Sequence, residues 1–288
     1  TNPPAEGTQD AVAAAAQARA DIMPSVGAVV ATTNLNCTRY VARVFTQPPL
    51  TEHIDDMCWL FEQLLRAHQG AEDNAGRALP DVVLVFRDGV SEGQFSKVLE
   101  VELAGMKEAC ERVQPGYKPR ITFATVQKRH NTRFFPLSDN DQAADYATNR
   151  RGKGSGNVRP GLVVDRDVCS PHVFDFFLNS HAGLQGTNRP AKYAVLHDDC
   201  GLGADTIALL SHWLCHTFCR CARSVSVAPP AYYAHHAAFR GRAWLRKVGY
   251  GGSESGGSEA TVTSDSSVPG VWRMDALHPD LTNTMFFV

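Results

Sequence analysis

The sequence predicts an α/β fold with a mixed sheet flanked by helices. Two continuous apolar runs, DVVLVF (81–86) and ITFATVQ (121–127), have the length and composition of buried parallel strands. Between them, residues 91–113 carry apolar side chains at helical spacing. Two further apolar runs, 25–33 and 39–47, are separated by a polar turn, which predicts an opening β-hairpin.

The first half of the chain adds a low-complexity segment, a helix and a loop. Residues 11–20, AVAAAAQARA, are predicted to form a surface insert or a frayed helix. Residues 50–69 have helical spacing, with Thr51 as the predicted N-cap and acidic residues in the first turn. Residues 71–80 are predicted to be a loop.

The second half continues the alternation of strands and helices. Two apolar segments, VFDFFLNS and KYAVLHDD, are predicted strands, and residues 203–222 and 231–248 are predicted helices. Residues 136–160 are polar and rich in Asn, Asp and Gly, which predicts a surface loop, and residues 249–267 read as a Gly/Ser linker. The apolar end, MFFV, is expected to dock on the body of the domain.

Composition excludes several classes of protein. Hydrophobic residues are 43% and charged residues 20% of the 288, which is typical of a globular chain and not of a disordered, collagen-like or coiled-coil one. We expect no transmembrane helix, because no run of eighteen apolar residues occurs, and no secretory signal. Because the chain starts at Thr1 without an initiator Met, we expect it to be a piece of a longer protein.

The net charge of −2 conceals an uneven distribution. Residues 1–112 hold 9 Lys and Arg against 16 Asp and Glu, a net of −7, whereas residues 113–288 hold 19 against 14, a net of +5. A basic face on a near-neutral protein can bind a polyanion. Charge alone supports two interpretations equally: a face that binds a polyanion, and a set of solvated surface charges.

The cysteines are predicted to be reduced thiols. Eight Cys without a signal peptide are typical of an intracellular protein. One cluster combines cysteine with histidine in the run ALLSHWLCHTFCRCA, and its members are His212, Cys215, His216, Cys219 and Cys221. A zinc site is the functional alternative, but the spacing favours structural thiols on one helix.

Asp88 is the best single candidate for chemistry. It follows a predicted strand and precedes Gly89, so its carboxylate is held at the end of the sheet where α/β proteins bind ligands. Such a carboxylate suits a divalent metal ion. The alternative is an N-cap for the next helix, but Ser91 can take that position.

Long motifs resemble a known family. The sequence is similar to the PIWI domain of eukaryotic Argonaute proteins, in order and over nearly all of 1–288. The segments that carry the resemblance are RDGVSEGQF (87–95), VQKRHNTRFF (126–135), FDFFLNSHAGLQGTNRP (174–190), LCHTFCRCARSVSVAPPAYYAHHAAFRGR (214–242) and the closing MFFV. The resemblance implies an RNase H-like mixed sheet in one PIWI domain over 1–288, incomplete at its N-terminus. The composition of 136–160 and 249–267 predicts flexible loops within that domain.

The resemblance also implies guide-directed cleavage of RNA by an Asp-Glu-Asp-His tetrad with two Mg²⁺ or Mn²⁺ ions. Asp88 matches the second Asp and His235 matches the His, each as a metal ligand, whereas the neighbouring His236 falls out of register. Glu52 matches the mobile glutamate, although a favourable first-turn acid is its alternative role.

The first Asp of the tetrad is expected on a strand just before Thr1. Asp10 and Asp21 are poor substitutes for it. We therefore expect the parent protein to be a guide-directed endoribonuclease and this chain alone to be inactive. The competing hypothesis is a module that binds guide and target RNA without cleaving, and chance similarity of another α/β domain is a remote third.

The resemblance assigns the basic residues to the guide strand. Phosphate contacts hold a strand without reading its sequence. The matching positions are Lys128, Arg129, His130, Arg133, Arg189, Arg220, Arg223, Ser226, Tyr232, Arg240 and the carboxylate of Val288. Asn131 departs from the family's histidine, and solvation of a helix surface is the alternative for Arg223 and Arg240.

The implied partners are a small guide RNA, a complementary target RNA and glycine/tryptophan-rich silencing proteins, with no membrane. Val113 and Tyr117 match positions that line tryptophan pockets, although core packing explains them at least as well. The implied location is the cytoplasm, with the nucleus as a further site.

Overall fold

The computed structural model of the chain describes residues 22–72, 74, 78–144, 154–249, 261–263 and 270–288. The low-complexity segment at 11–20 and most of the linker at 249–267 lie outside these residues. Within the described part, every helix is too short or too polar to cross a membrane.

The described residues form twelve strands and five α-helices, numbered in chain order. The strands are β1 (Ser25–Thr32), β2 (Tyr40–Gln47), β3 (Val82–Asp88), β4 (Arg120–Gln127), β5 (Gln142–Ala144), β6 (Gly154–Val158), β7 (Leu162–Val164), β8 (Asp175–Asn179), β9 (Ala191–Asp198), β10 (Leu245–Gly249), β11 (Thr261–Thr263) and β12 (Gly270–Met274). The helices are α1 (Met57–Gln69), α2 (Phe95–Val98), α3 (Ala104–Val113), α4 (Ala204–Leu214) and α5 (Pro229–Arg242).

A five-stranded mixed sheet forms the centre, in the order β3-β4-β9-β8-β7. The apolar runs predicted to be parallel are neighbours: β3 pairs with β4 in parallel, and β9, β8 and β7 continue antiparallel. Helices pack on this sheet, and β1 and β2 form the predicted antiparallel hairpin beside it. The predicted α/β class with an RNase H-like mixed sheet is therefore confirmed.

The helix predicted from residue 50 begins seven residues later, at Met57, with Asp56 at the N-cap position. Leu50 has a positive φ of 63°, which no helix allows, and the preceding prolines favour extended backbone. Thr51 is therefore not the cap. The consequence for function is that Glu52 lies in an exposed loop and not in a first helical turn.

The segment predicted as one helix over 91–113 is a chain of shorter helices. A 3₁₀ turn at Glu92–Gln94 leads into α2, a π-helical turn at Leu99–Leu103 follows, and α3 completes the segment. Such π turns are frequent at functional sites. Here the turn directs the side chain of Glu102 into the interior, where it is 0% exposed.

Other boundaries also differ from those predicted. The helix predicted to 222 ends at Leu214, and the one predicted to 248 ends at Arg242, after which β10 pairs with β11 and β12. Inside the polar segment at 136–160, β5 and β6 pair with each other. Short polar strands of this kind lack the apolar alternation by which sequence reasoning finds strands.

Three clusters make up the described core. One lies between the helices around α1 and the sheet, and another lies on the side of α4 and α5. The third joins the hairpin to α5 and includes Phe287, which packs against Tyr233 with ring centroids 5.7 Å apart. The apolar end of the chain therefore docks on the body, as expected.

An apolar groove of about 410 Å³ separates the hairpin from the sheet. Residues 26–32 of β1 form one wall and residues 82–89 of β3 form the other. In the described part of the chain, β3 has a neighbouring strand only on its β4 side. One end of the groove is lined by Asp88 and His235.

Candidate active site

Asp88 and His235 meet at the carboxyl end of β3. Nε2 of His235 donates a hydrogen bond of 2.5 Å to Oδ2 of Asp88, although the two residues are 147 positions apart in the sequence. Oδ1 of Asp88 accepts the amide N–H of Gly89 at 2.7 Å, and the positive φ of Gly89, 81°, makes this tight turn possible. Ser91 takes the N-cap position of the following 3₁₀ turn, so Asp88 does not cap it.

The pair is accessible and electrostatically coupled. Burial by itself raises the pKa of Asp88, but the hydrogen bond and charge of His235 outweigh burial and lower that pKa. The same hydrogen bond raises the pKa of His235 against an opposing effect of burial. The side chain of Asp88 is 33% exposed and that of His235 is 69% exposed, so an outside ligand can reach both.

Arg87 and Glu102, which the sequence analysis missed, tie the loop of Glu52 to this site. The guanidinium of Arg87 donates to both carboxylate oxygens of Glu102, at 2.9 Å for the shortest pair, and to the carbonyl oxygens of Glu52 and Asp88. Oε1 of Glu102 also accepts the N–H of Ile54 at 3.0 Å. A glutamate in the middle of an apparent helix gives no sequence signal for this role, because its burial depends on the π turn.

Glu52 reaches the site only through its backbone. Its carbonyl oxygen accepts a 2.6 Å hydrogen bond from Arg87, whereas its side chain is exposed. In the described residues, no three His, Cys, Asp or Glu side chains converge on a point that a metal ion could occupy. Asp88 offers the hard oxygen that Mg²⁺ or Mn²⁺ prefers, but with His235 it supplies only part of a metal site.

Lys128, Ser226 and Tyr232 come together as a polar cluster just beyond β4. Nζ of Lys128 donates to Oγ of Ser226 and lies 3.5 Å from the hydroxyl of Tyr232, which is 2.7 Å from the Ser226 oxygen. His181 joins the cluster and was missed from sequence. Burial and the charge of Lys128 lower the pKa of His181 to about 4, and its Nδ1 is buried without a partner. Its position after β8, within the quoted SHAG run, was the available signal.

His130, Arg133 and Arg189 form a neighbouring group. The ring of His130 hydrogen-bonds the carbonyl of Pro190 at 2.8 Å, and Arg133 donates to the carbonyl of His130 at 3.0 Å. Burial lowers the pKa of His130, and the positive charges of Arg133 and Arg189 lower it further. The exposed guanidinium of Arg189 therefore lies near this ring.

The remaining residues predicted to contact the guide are all exposed. The charge of Arg129 lowers the pKa of His235, which places it beside the Asp88 pair. Arg220 lies 3.4 Å from the ring of His236. Arg223, Arg240 and Val288 are also exposed, and Val288 follows the buried Phe287, which packs on the helix that carries Arg240. Their contact with a guide strand stays a prediction.

The cysteines of the predicted cluster are divided between the core and the surface. Cys215 is buried, Cys219 and Cys221 are exposed, and all three are free. They lie beyond the end of α4 and not on one helix, and the described residues hold no metal-binding group that includes them. Val113 and Tyr117 pack against the core near α1, and the Tyr117 hydroxyl donates to the carbonyl of Pro80 at 2.6 Å.

Comparison with protein families gives a match over most of the chain. The model of the Piwi domain matches residues 9–246. Protein argonaute 5 of Arabidopsis thaliana is 40% identical over 278 residues, which are 93% of this chain and 27% of that protein. Protein argonaute 1B of rice, Oryza sativa subsp. japonica, is 42% identical over 265 residues, 87% of this chain and 22% of that protein. The chain spans about a quarter of the length of these relatives.

Solved structures give the same result. The C-terminal lobe of a budding yeast Argonaute superposes with a TM-score of 0.69 at 26% identity, over 92% of this chain and 54% of that one. The Kluyveromyces polysporus Argonaute with a guide RNA superposes with a TM-score of 0.70 at 28% identity, over 92% of this chain and 32% of that one.

Proposed function

The chain belongs to the Piwi domain family, and on this premise we propose that it binds a small guide RNA for RNA-guided silencing. We further propose that the longer protein containing it cleaves complementary RNA. The observation that carries the proposal is the pairing of Asp88 with His235, on which the positive charge of Arg129 acts. The Argonaute with a guide RNA, which has the same fold, supports the binding role.

The polar cluster of Lys128, Ser226 and Tyr232 holds the guide backbone in this account. The ammonium and two hydroxyls are donors that suit phosphate oxygens. His181, with its lowered pKa, stays neutral at physiological pH and contributes an N–H donor without a charge. Sequence choice then belongs to base pairing between guide and target.

Asp88 and His235 act on the target strand. The Asp88 carboxylate and His235 would hold a divalent ion, Mg²⁺ or Mn²⁺, and Glu52 is the further catalytic residue that the family resemblance implies. When bound, such an ion would supply activation of water and stabilisation of the leaving oxygen. The low pKa of Asp88 keeps its carboxylate ionised for that task. The Arg87–Glu102 pair anchors the loop that carries Glu52.

Cleavage by the longer protein tests the catalytic part. Loaded with a 5′-phosphorylated guide, it is expected to cut a complementary RNA once, opposite the guide centre, when Mg²⁺ is added. Asp88→Asn should abolish the cut without weakening guide binding. Asp56→Asn, which changes an exposed carboxylate before α1, serves as the matched control and should cut normally. Binding of Mn²⁺ measured by calorimetry gives a readout that is independent of cleavage.

A binding-only module is the second candidate. The exposed side chain of Glu52 and the incomplete ligand set around Asp88 favour it for this chain taken alone. Under this alternative, the wild type and the Asp88 variant both bind the guide tightly, and neither cuts the target. Silencing would then depend on recruited partners.

The partners and the location follow from the same proposal. Beyond guide and target RNA, glycine/tryptophan-rich silencing proteins are the proposed protein partners, acting in the cytoplasm and also in the nucleus. The packing of Tyr117 against the core favours a structural role for that side chain over a tryptophan pocket.

A further inference from the structure

Lys192 lies at the same end of the sheet as Asp88. In the register of the strands, Asp88 is beside Val126, and Val126 is beside Tyr193. Lys192 therefore comes one row beyond Asp88 and two strands away from it. It is next to the turn through which the chain leaves β3.

Two carboxylates share the ammonium of Lys192, and they differ in burial. Oδ2 of Asp175 lies 3.0 Å from Nζ and its side chain is 2% exposed, whereas Oε1 of Glu92 lies 2.8 Å away and its side chain is 67% exposed. Asp175 also accepts the N–H of Ser170 at 2.8 Å. A buried carboxylate depends on its cation, but an exposed ion pair contributes little. Glu92 is therefore the exchangeable partner.

Lys192 extends the group of cations near His130 towards Asp88. Its positive charge acts on the ring of His130 together with those of Arg133 and Arg189. The side chain of Lys192 is 18% exposed and lies over the ring of Phe177, with Nζ 5.9 Å from the centroid. A strand that runs from this group to Asp88 passes Lys192.

We propose that Lys192 contacts the RNA backbone and that a phosphate replaces Glu92 as its partner when RNA binds. Asp175 stays paired throughout and keeps the ammonium in place. Without RNA, Glu92 occupies the position that the phosphate takes. This inference rests on the proposed function, because it needs an RNA strand along this edge of the sheet.

The alternative role for the pair is mechanical. The carbonyl of Val90 accepts a 2.6 Å hydrogen bond from the side chain of Gln127, so the turn after Asp88 is already fastened to β4. If Lys192 and Glu92 only add a second fastening, removing either one has the same consequence. If Glu92 competes with phosphate, the two removals have opposite consequences for RNA affinity.

The test is equilibrium binding of 5′-phosphorylated oligouridine to the full chain over a series of salt concentrations. Lys192→Gln should weaken binding about fivefold and reduce the salt slope by about 0.7, the value for one phosphate contact on a single strand. Glu92→Gln should tighten binding about threefold. Lys192→Arg should bind as the wild type does.

The exposed pair of Arg112 and Glu108 on α3 supplies matched controls. Arg112→Gln and Glu108→Gln make the same charge changes away from the strand ends, and should leave affinity within about twofold of the wild type. Circular dichroism checks that each variant folds. If Lys192→Gln unfolds because Asp175 loses its cation, Glu92→Gln still decides the question.

Weaker or unchanged binding by Glu92→Gln, relative to Glu108→Gln, would overturn the inference while the wild type still bound RNA. A wild-type chain that bound no RNA would overturn the proposed function itself. The two failures are therefore distinguishable.

Discussion

Asp88 and His235 each change the protonation of the other. We predict that His235 titrates above its ordinary pKa of 6.5 in the wild type and returns towards it in Asp88→Asn. Proton NMR of the imidazole signals measures both values. His212, whose pKa is lowered by burial and by the charge of His216, is the internal control and should not shift with the substitution. An unchanged His235 titration would contradict the pairing.

The sign of the pH dependence follows from these directions. A raised pKa for folded His235 means that its stabilising effect is full below about pH 6.5 and is lost as pH rises through the raised value. The lowered pKa of Asp88 means that its effect is present above about pH 3.8 and is lost as pH falls through the lowered value. The pair therefore stabilises the fold most at mildly acidic pH.

In the polar cluster of Lys128, Ser226 and Tyr232, the prediction compares the loss of the lysine charge with the loss of a hydroxyl group. Lys128→Ala should weaken binding of a 5′-phosphorylated RNA about tenfold and reduce its salt dependence, while Tyr232→Phe should weaken binding less and leave the salt slope unchanged. Lys97→Ala, an exposed lysine on α2, controls for net charge. Equal effects of Lys128→Ala and Lys97→Ala would argue against a specific phosphate contact.

At the scale of single residues, sequence reasoning was most informative about position along a strand. Asp88 could be predicted because a carboxylate at the end of an apolar strand is unusual, and the structure places it at the sheet edge. The pairing with His235 followed only from the family resemblance, since it depends on how α5 packs. His181 was missed because a histidine after a strand looks like any other until its burial is known.

The π turn at Leu99–Leu103 is the element that connects the core to the loop of Glu52. Glu102→Ala should destabilise the fold by about 3 kcal/mol, because it leaves Arg87 without its carboxylate and the N–H of Ile54 without its acceptor. Urea unfolding followed by circular dichroism measures the change.

Glu100→Ala provides the control on the same turn. Because Glu100 is exposed, this substitution should lower the free energy of unfolding by less than about 0.5 kcal/mol. Hydrogen exchange adds a local readout. The amides of the loop before α1 should exchange faster than in the wild type in Glu102→Ala, and at the wild-type rate in Glu100→Ala. Equal stability of the two variants would mean that the buried ion pair does not hold the loop.

Element boundaries show the limit of periodicity. Residues 50–56 were included in a predicted helix, yet they form a loop. Glu102 accepts the N–H of Ile54 in this loop, and Arg87 donates to the carbonyl of Glu52. The apolar pattern over 91–113 likewise did not reveal the π turn at Leu99–Leu103. Tertiary hydrogen bonds override local pattern at both places, and both adjoin the candidate site.

The docked end of the chain is a feature of the whole molecule. Phe287 is 4% exposed and packs with Tyr233 and Tyr40, so it joins the hairpin to α5. Phe287→Ala should destabilise the fold by about 3 kcal/mol. Phe239→Ala, at an exposed position on α5, should change stability by less than about 0.5 kcal/mol. Thermal unfolding of the two variants under the same conditions compares them, and equal values would contradict docking.

The charge asymmetry also belongs to this scale. The net charge of −2 gives no sign of a nucleic-acid partner, whereas the excess of +5 over 113–288 is compatible with one. The fold brings part of that excess to one side, around His130 and beside His235. The sequence gives the number of these charges but not which of them lie close together, because that depends on the order of strands in the sheet.

Crosslinking of a bound guide tests the central claim most directly. The longer protein, loaded with a 5′-phosphorylated RNA that carries photoreactive uridines, is irradiated, and the attached peptides are identified by mass spectrometry. We predict crosslinks in 128–133, in 180–192 and in 220–232, three segments that contact one another through side-chain hydrogen bonds. Crosslinks confined to other regions of this domain would contradict the proposed guide site. So would a crosslink yield no higher than that of a control, a 5′-hydroxyl RNA of unrelated sequence in high salt.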